Sequence, residues 1–193
     1  LHKTKYRLIA WETINGELQM IQDPEAKVIM GDGKGAHVEI EYSGPDEPND
    51  GLGFLLCPSM NQNPQFESIM ASIGELCARI TNARLSERET RQALNQRIVP
   101  KLSYPLNLTC FDKGKCDRIN TLIRRAILPT TRLNRNFPHA VTFGDIRHGG
   151  MGLPETYTLQ DQLQIPQHLK HFRWDDTIAN DLLVAMDNVQ LVS

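Results

Sequence analysis

The chain has 193 residues, 40% hydrophobic and 23% charged, a balance that leaves room for a real core and excludes a disordered tail. No apolar run approaches the roughly 18–20 residues that span a bilayer, and no charged-then-apolar signal segment is present. The net charge of −2 is unevenly held: residues 113–147 carry eight Lys/Arg against Asp117 and Asp145, a block of +6 in a chain whose remainder sums to −8, which suits either a polyanionic partner or a solvated helix face.

The first 60 residues read as strands and turns. Residues 5–11 (KYRLIAW) and 35–42 (GAHVEIEY) are rich in β-branched and aromatic side chains, the second in near-strict alternation. Asn15 and Gly16, between Trp11 and the run Leu18 to Ile21, form a strong hairpin signal. Residues 31–35 (GDGKG) lie between extended runs and read as a turn, since the Ser/Thr and the helix of a phosphate-binding loop do not follow. Residues 43–51 form a polar connection, and 51–57 (GLGFLLC) a short strand of buried character.

From Pro64 the period turns helical. Phe66, Ile69, Met70, Ile73, Leu76, Cys77 and Ile80 make one apolar stripe. Ser86 and Glu89 form a capping box for a second helix with Ala93, Leu94 and Ile98 inward, which Pro100 and Pro105 bend or end. Asp112 caps a third helix that buries Cys116, Ile119, Leu122, Ile123, Ala126 and Ile127. Arg118 and Arg125, seven residues apart, share its polar stripe; Arg124 lies on the flank, placed to pair within the protein. Pro129 stops this helix. Residues 155–164 and 169–172 suggest helices broken at Pro166, and a last helix from Asp175 turns Ile178, Leu182, Ala185, Met186, Val189 and Val192 inward. The fold class is α+β: a small antiparallel β portion, then a mostly helical bundle.

Few residues suggest catalysis. Cys57, Cys77, Cys110 and Cys116 lack framework spacing and read as reduced thiols of an intracellular protein, nuclear or cytoplasmic. His168 and His171 share a helix face, but with His139 and His148 they complete no tetrahedral ligand set, so no metal is expected. Asp175 and Asp176 read as helix caps, and no nucleophile elbow is present. Residues 132–154 carry Gly149, Gly150 and Gly152 beside Arg132, Arg135, Arg147 and His148. Two uses fit that composition: contact with a phosphate backbone, or a tight turn between packed helices.

Several short motifs occur in order. They are Lys5 to Trp11 with Asn15 and Gly16; Leu52, Gly53 and Phe54; residues 100–106 (PKLSYPL); Asn134, Arg135, Pro138, Val141, Phe143 and Gly144; residues 149–153 (GGMGL); and Gln160. Together they resemble the end of the palm, the thumb and a post-thumb region of retrotransposon reverse transcriptases of the non-LTR kind. The resemblance implies a β-rich end of a palm at residues 1–60, a helical thumb at 61–130 and a post-thumb helical region at 131–193. It implies a segment that grips an RNA–DNA hybrid or RNA template–primer and packs with the remainder of the same polyprotein. The catalytic carboxylates and their Mg2+ would fall before Leu1, so the segment itself would carry no cofactor and no catalysis. Its nucleic-acid contacts would be Lys113, Lys115, Arg118, Arg125, Arg132, Arg135, Arg147 and His148, with Leu52, Gly53 and Phe54 as the primer-grip candidate. The alternative is a stand-alone helical scaffold whose arginines bind acidic protein partners.

Overall fold

The computed structural model describes residues 5–7, 10–21, 27–31, 37–51, 53–134 and 136–174. The chain divides into two compact units, Leu1–Gln65 and Phe66–Ser193.

The first unit is built from two-stranded pairs. Strands β2 (Ala10–Ile14) and β3 (Glu17–Ile21) form the hairpin that Asn15 and Gly16 forecast, and both turn residues adopt the positive φ such a turn needs. β4 (Ile29–Gly31) and β5 (His37–Glu39) are also antiparallel. β1 (Lys5–Tyr6) pairs with β6 (Glu41–Tyr42) in parallel, a departure from an all-antiparallel portion. The Tyr6 and Tyr42 rings meet edge-on at 5.5 Å, and Arg7 donates to Ser43 Oγ and to the Glu47 carbonyl. Residues expected as a plain connection form β7 (Asn49–Gly51), which pairs with β8 (Phe54–Leu56). The expected buried strand is therefore one arm of a shallow hairpin: Phe54 and Leu55 are half-buried and Leu56 is 52% exposed.

The second unit is helical. Helix α1 (Asn63–Asn82) buries Phe66, Ile69, Ile73, Cys77 and Ile80, the stripe its sequence spacing set out. Ser86 caps α2 (Glu87–Ala93) with the full reciprocal box. Neither Pro100 nor Pro105 ends the helical path. A π-helical stretch, Leu94–Ile98, leads into α3 (Val99–Leu106), and the Val99 N–H reaches back to the Leu94 carbonyl. Proline lacks an N–H and crowds the carbonyl four residues earlier; the wider turn just before Pro100 accommodates both.

Helix α4 (Lys113–Thr130) starts at Asp112, whose carboxylate accepts the Lys115 N–H at 2.9 Å. Cys116, Ile119, Ile123, Ala126 and Ile127 enter the common core with Leu94, Ile98, Leu102, Leu106, Phe111 and Leu153. Each fully buried Leu, Ile or Phe among them contributes about 1.5–3 kcal/mol, enough to make α4 a rigid platform. The helix runs through Pro129 and ends in a Schellman motif: Leu133 N–H donates to the Leu128 carbonyl and Arg132 N–H to Pro129. Arg132 fills the left-handed position at φ +59, where glycine is usual.

A short helix α5 (His139–Phe143) and a 3₁₀ turn, Ile146–His148, precede α6 (Thr156–Trp174). Pro166 does not break α6. Gln162, four residues earlier, is exposed, so water can take the carbonyl bond that Pro166 leaves unmade. Three amide side chains fasten α6 to its neighbours. Gln160 pairs with both the N–H and the carbonyl of Phe111, Asn120 Oδ1 accepts from Thr156, and Gln164 Nε2 donates to the Leu106 and Thr109 carbonyls. The expected helix from Asp175, with the Asp175–Asp176 pair, lies outside the described residues.

Candidate nucleic-acid interface

The polar face of α4 is the complement of its apolar stripe. At about 100° per residue, Gly114, Arg118, Thr121 and Arg125 fall on one side, and Leu122, expected in the buried stripe, is half-buried at its edge. With Met70 of α1 and Asp117 they line an open groove of about 330 Å³. Arg118 and Arg125 are exposed on this face. The Arg118 guanidinium lies 4.7 Å from the Phe66 ring centroid. Lys115, half-buried, holds its amine 5.8 Å from Phe66 and 6.0 Å from Phe111. The two rings, edge to face at 5.7 Å, thus form a pedestal that restricts both cations while their charge stays in water. Lys113 is exposed but stands roughly 140° around the axis from Arg118. It shares the helix, not the stripe.

Among the described residues, none of Lys113, Lys115, Arg118, Arg125 or Arg132 forms an ion pair with an acid. Arg147 differs. Its guanidinium closes on the Asp145 carboxylate at 2.6–3.2 Å, and its backbone N–H donates to the same carboxylate. Those bonds hold the Asp145 carboxyl below the usual carboxylate range and occupy the charge that sequence reasoning offered to a phosphate. His148, exposed, closes the 3₁₀ turn. Arg135 and Leu52 lie outside the described residues; Gly53, at φ +88, is exposed in the turn between β7 and β8.

The glycine-rich run beside Arg147 is occupied by the fold. A Cβ on Gly150 would stand 2.1 Å from the Gly144 carbonyl oxygen, well inside any real contact. Met151, Gly152 and Leu153 donate their N–H groups to the carbonyls of Val141, Gly144 and Thr142. Those donors are consumed by α5 and by Gly144, so the run is a packing device and no phosphate cradle. Gly149 caps the 3₁₀ turn in the left-handed region at φ +80.

Arg124, expected on the flank of the helix and placed to pair within the protein, retains only 8% exposure and bonds to the Phe137 carbonyl and to His139 Nε2. Thr121, Gly114, Asp117 and Asn136 were not singled out as site residues. The 114–118–121–125 spacing, the polar counterpart of the buried stripe, was the signal available for the first two.

Among the described residues, no three His, Cys, Asp or Glu side chains gather as a metal site, and no helix is long and apolar enough to cross a membrane. Burial pushes the thiols of Cys77 and Cys116 up to about 11 and about 12, so both stay protonated near neutrality. The chain matches no protein-family model, no curated protein and no solved structure.

Proposed function

We propose that this chain is the template–primer-holding segment of a retroelement RNA-directed DNA polymerase. The observation that carries the reading is the face of α4: Arg118 and Arg125 without acidic partners among the described residues, on a helix anchored by its opposite side. Sequence-independent duplex binding needs this arrangement. Cations held at fixed spacing meet phosphates, and the release of condensed counterions drives association. The motifs of residues 52–54, 100–106, 134–144 and 149–153, in that order, support the same reading by resemblance. An RNA–DNA hybrid would be recognised by its shape and 2′-hydroxyls, not by base edges.

The role is positional: the segment keeps the primer end aligned for chemistry performed by another part of the polyprotein. The resemblance assigns the Mg2+-binding carboxylates to that other part, and no residue of this chain is proposed to hold the ion. Lys115, Arg118 and Arg125 are the proposed core contacts, with Arg132, Arg135 and His148 flanking them. Lys113 and Arg147 contribute less, one for its angle on the helix and the other for its bond to Asp145.

The test is fluorescence anisotropy of this chain with a short RNA–DNA hybrid between about 50 and 200 mM salt, where affinity should fall with a log–log slope near −0.9 per phosphate neutralised. A well-folded chain with no measurable binding would contradict the reading and favour a scaffold whose arginines meet acidic protein partners.

A further inference from the structure

Arg124 and Arg125 are adjacent in sequence and differ in surroundings. Arg125 is exposed, while Arg124 keeps 8% of its surface in solvent. Its two terminal nitrogens bond to the Phe137 carbonyl and to His139 Nε2, neither of them a carboxylate. Nε2 acts as the acceptor because a guanidinium has no lone pair to offer. The Arg124 Nε is buried with no partner at all, and among the described residues no carboxylate pairs with this side chain. A guanidinium does not shed its proton, so a full positive charge sits beneath the surface uncompensated, a costly arrangement. The C-terminus of α4 does not supply the counter-charge. Arg124 lies six residues before Thr130, outside the last turn where helix-end charge acts.

Over this charge lies a groove of about 790 Å³ lined by Thr121, Arg124, Arg125, Pro129 and Asn136. Its lining residues bring two arginines, a threonine whose hydroxyl donates to the Asp117 carbonyl, and an asparagine, with no acid among them. We infer that this groove binds a phosphate oxyanion. Arg125 and the Asn136 amide make the direct contacts, and Arg124 beneath supplies the charge that the bound anion neutralises. The volume exceeds one phosphate group, leaving room for the substituents of an ester. Phosphate chemistry reaches the groove from two sources, a nucleic-acid backbone or a free phosphate. For the backbone, the inference rests on the duplex-holding reading above; for free phosphate it stands without it.

The experiment follows the Arg124 Nε–Hε signal in ¹H–¹⁵N spectra of the whole chain. Inorganic phosphate is titrated against chloride at matched ionic strength, then the RNA–DNA hybrid is added to a fresh sample. The expected result is a saturable shift with phosphate, absent with chloride, and about tenfold weaker binding in Arg125→Gln, whose exposed side chain can be changed without touching the core. The hybrid should move the same signal if its backbone is the source. A phosphate response with no hybrid binding keeps the groove and overturns the duplex-holding role. Hybrid binding that leaves the Arg124 signal unmoved, is unaffected by Arg125→Gln and comes with no phosphate response overturns the groove and keeps that role. No response to either ligand overturns both.

Discussion

Arg118 and Arg125 on α4 and Arg147 in the loop of residues 144–152 look alike in sequence, each a cation in the same basic block. The structure separates them. Both α4 arginines line an open groove, Arg118 over the Phe66 ring, with no acid paired to either among the described residues. Arg147 is clasped by Asp145 two residues away, in a loop whose glycine-run N–H donors are spent on carbonyls of the loop and of α5. A basic block is therefore no site by its count of charges. What matters is which charges the chain has already used, and whether the element beneath them is fixed.

The largest expected effect breaks the loop side of that contrast. Gly150→Ala forces a Cβ onto the Gly144 carbonyl, a backbone group that cannot swing away, and should cost about 3 kcal/mol in denaturant unfolding. Gly149→Ala meets open space and pays only for its positive φ, about 1 kcal/mol. Equal losses at the two positions would refute the packing account of the run.

A smaller effect sharpens the α4 side. Arg132→Gly relieves a left-handed conformation at the Schellman position and should stabilise the fold by up to about 1 kcal/mol. Hybrid binding should weaken in the same variant, because a charge is lost. A loss of stability with unchanged binding would show that Arg132 packs and does not grip.

The smallest effect concerns pH. Partial burial would raise the Glu155 carboxyl, but bonds from Thr158, Asn120 and the Tyr157 N–H outweigh it and hold the group below its ordinary 4.5. A carboxyl lowered on folding contributes stability that is present above its unfolded pKa and lost as pH falls through the folded one. The stability gap between wild type and Glu155→Gln should thus be constant near neutrality and shrink below about pH 4.5 in urea titrations. A gap that stays undiminished as the pH falls below that point would contradict the assignment.

Much of this was legible in the sequence where the determinants are local. The α1 stripe, the Ser86 box, the Asp112 cap and the Asn15–Gly16 hairpin all depend on neighbours within a turn or two. What escaped depends on geometry at longer range or on competition between rules. The parallel pairing of β1 with β6 joins residues 36 apart, for which no short motif exists. Pro100 and Pro166 read as breaks by propensity, yet a π stretch and a solvated carbonyl absorb them. In the candidate site, the Arg118 and Arg125 stripe was visible from spacing alone. The Arg147 clasp was not, because an i, i+2 acid and base meet only when the chain folds tightly between them. The angular separation of Lys113 was within reach of the same spacing, since about 100° per residue turns it roughly 140° from Arg118.

The central claim is that the α4 face, and not the loop arginine, meets the duplex. It is tested most directly by the salt dependence of RNA–DNA hybrid binding for wild type, Arg118→Ala/Arg125→Ala and Arg147→Ala, each first shown to unfold like wild type. The account predicts that the α4 double variant binds weakly with a log–log slope flattened by about 1.8, two phosphates' worth, while Arg147→Ala keeps the wild-type slope. Identical slopes for wild type and the α4 variant, with the loss appearing in Arg147→Ala, would contradict it.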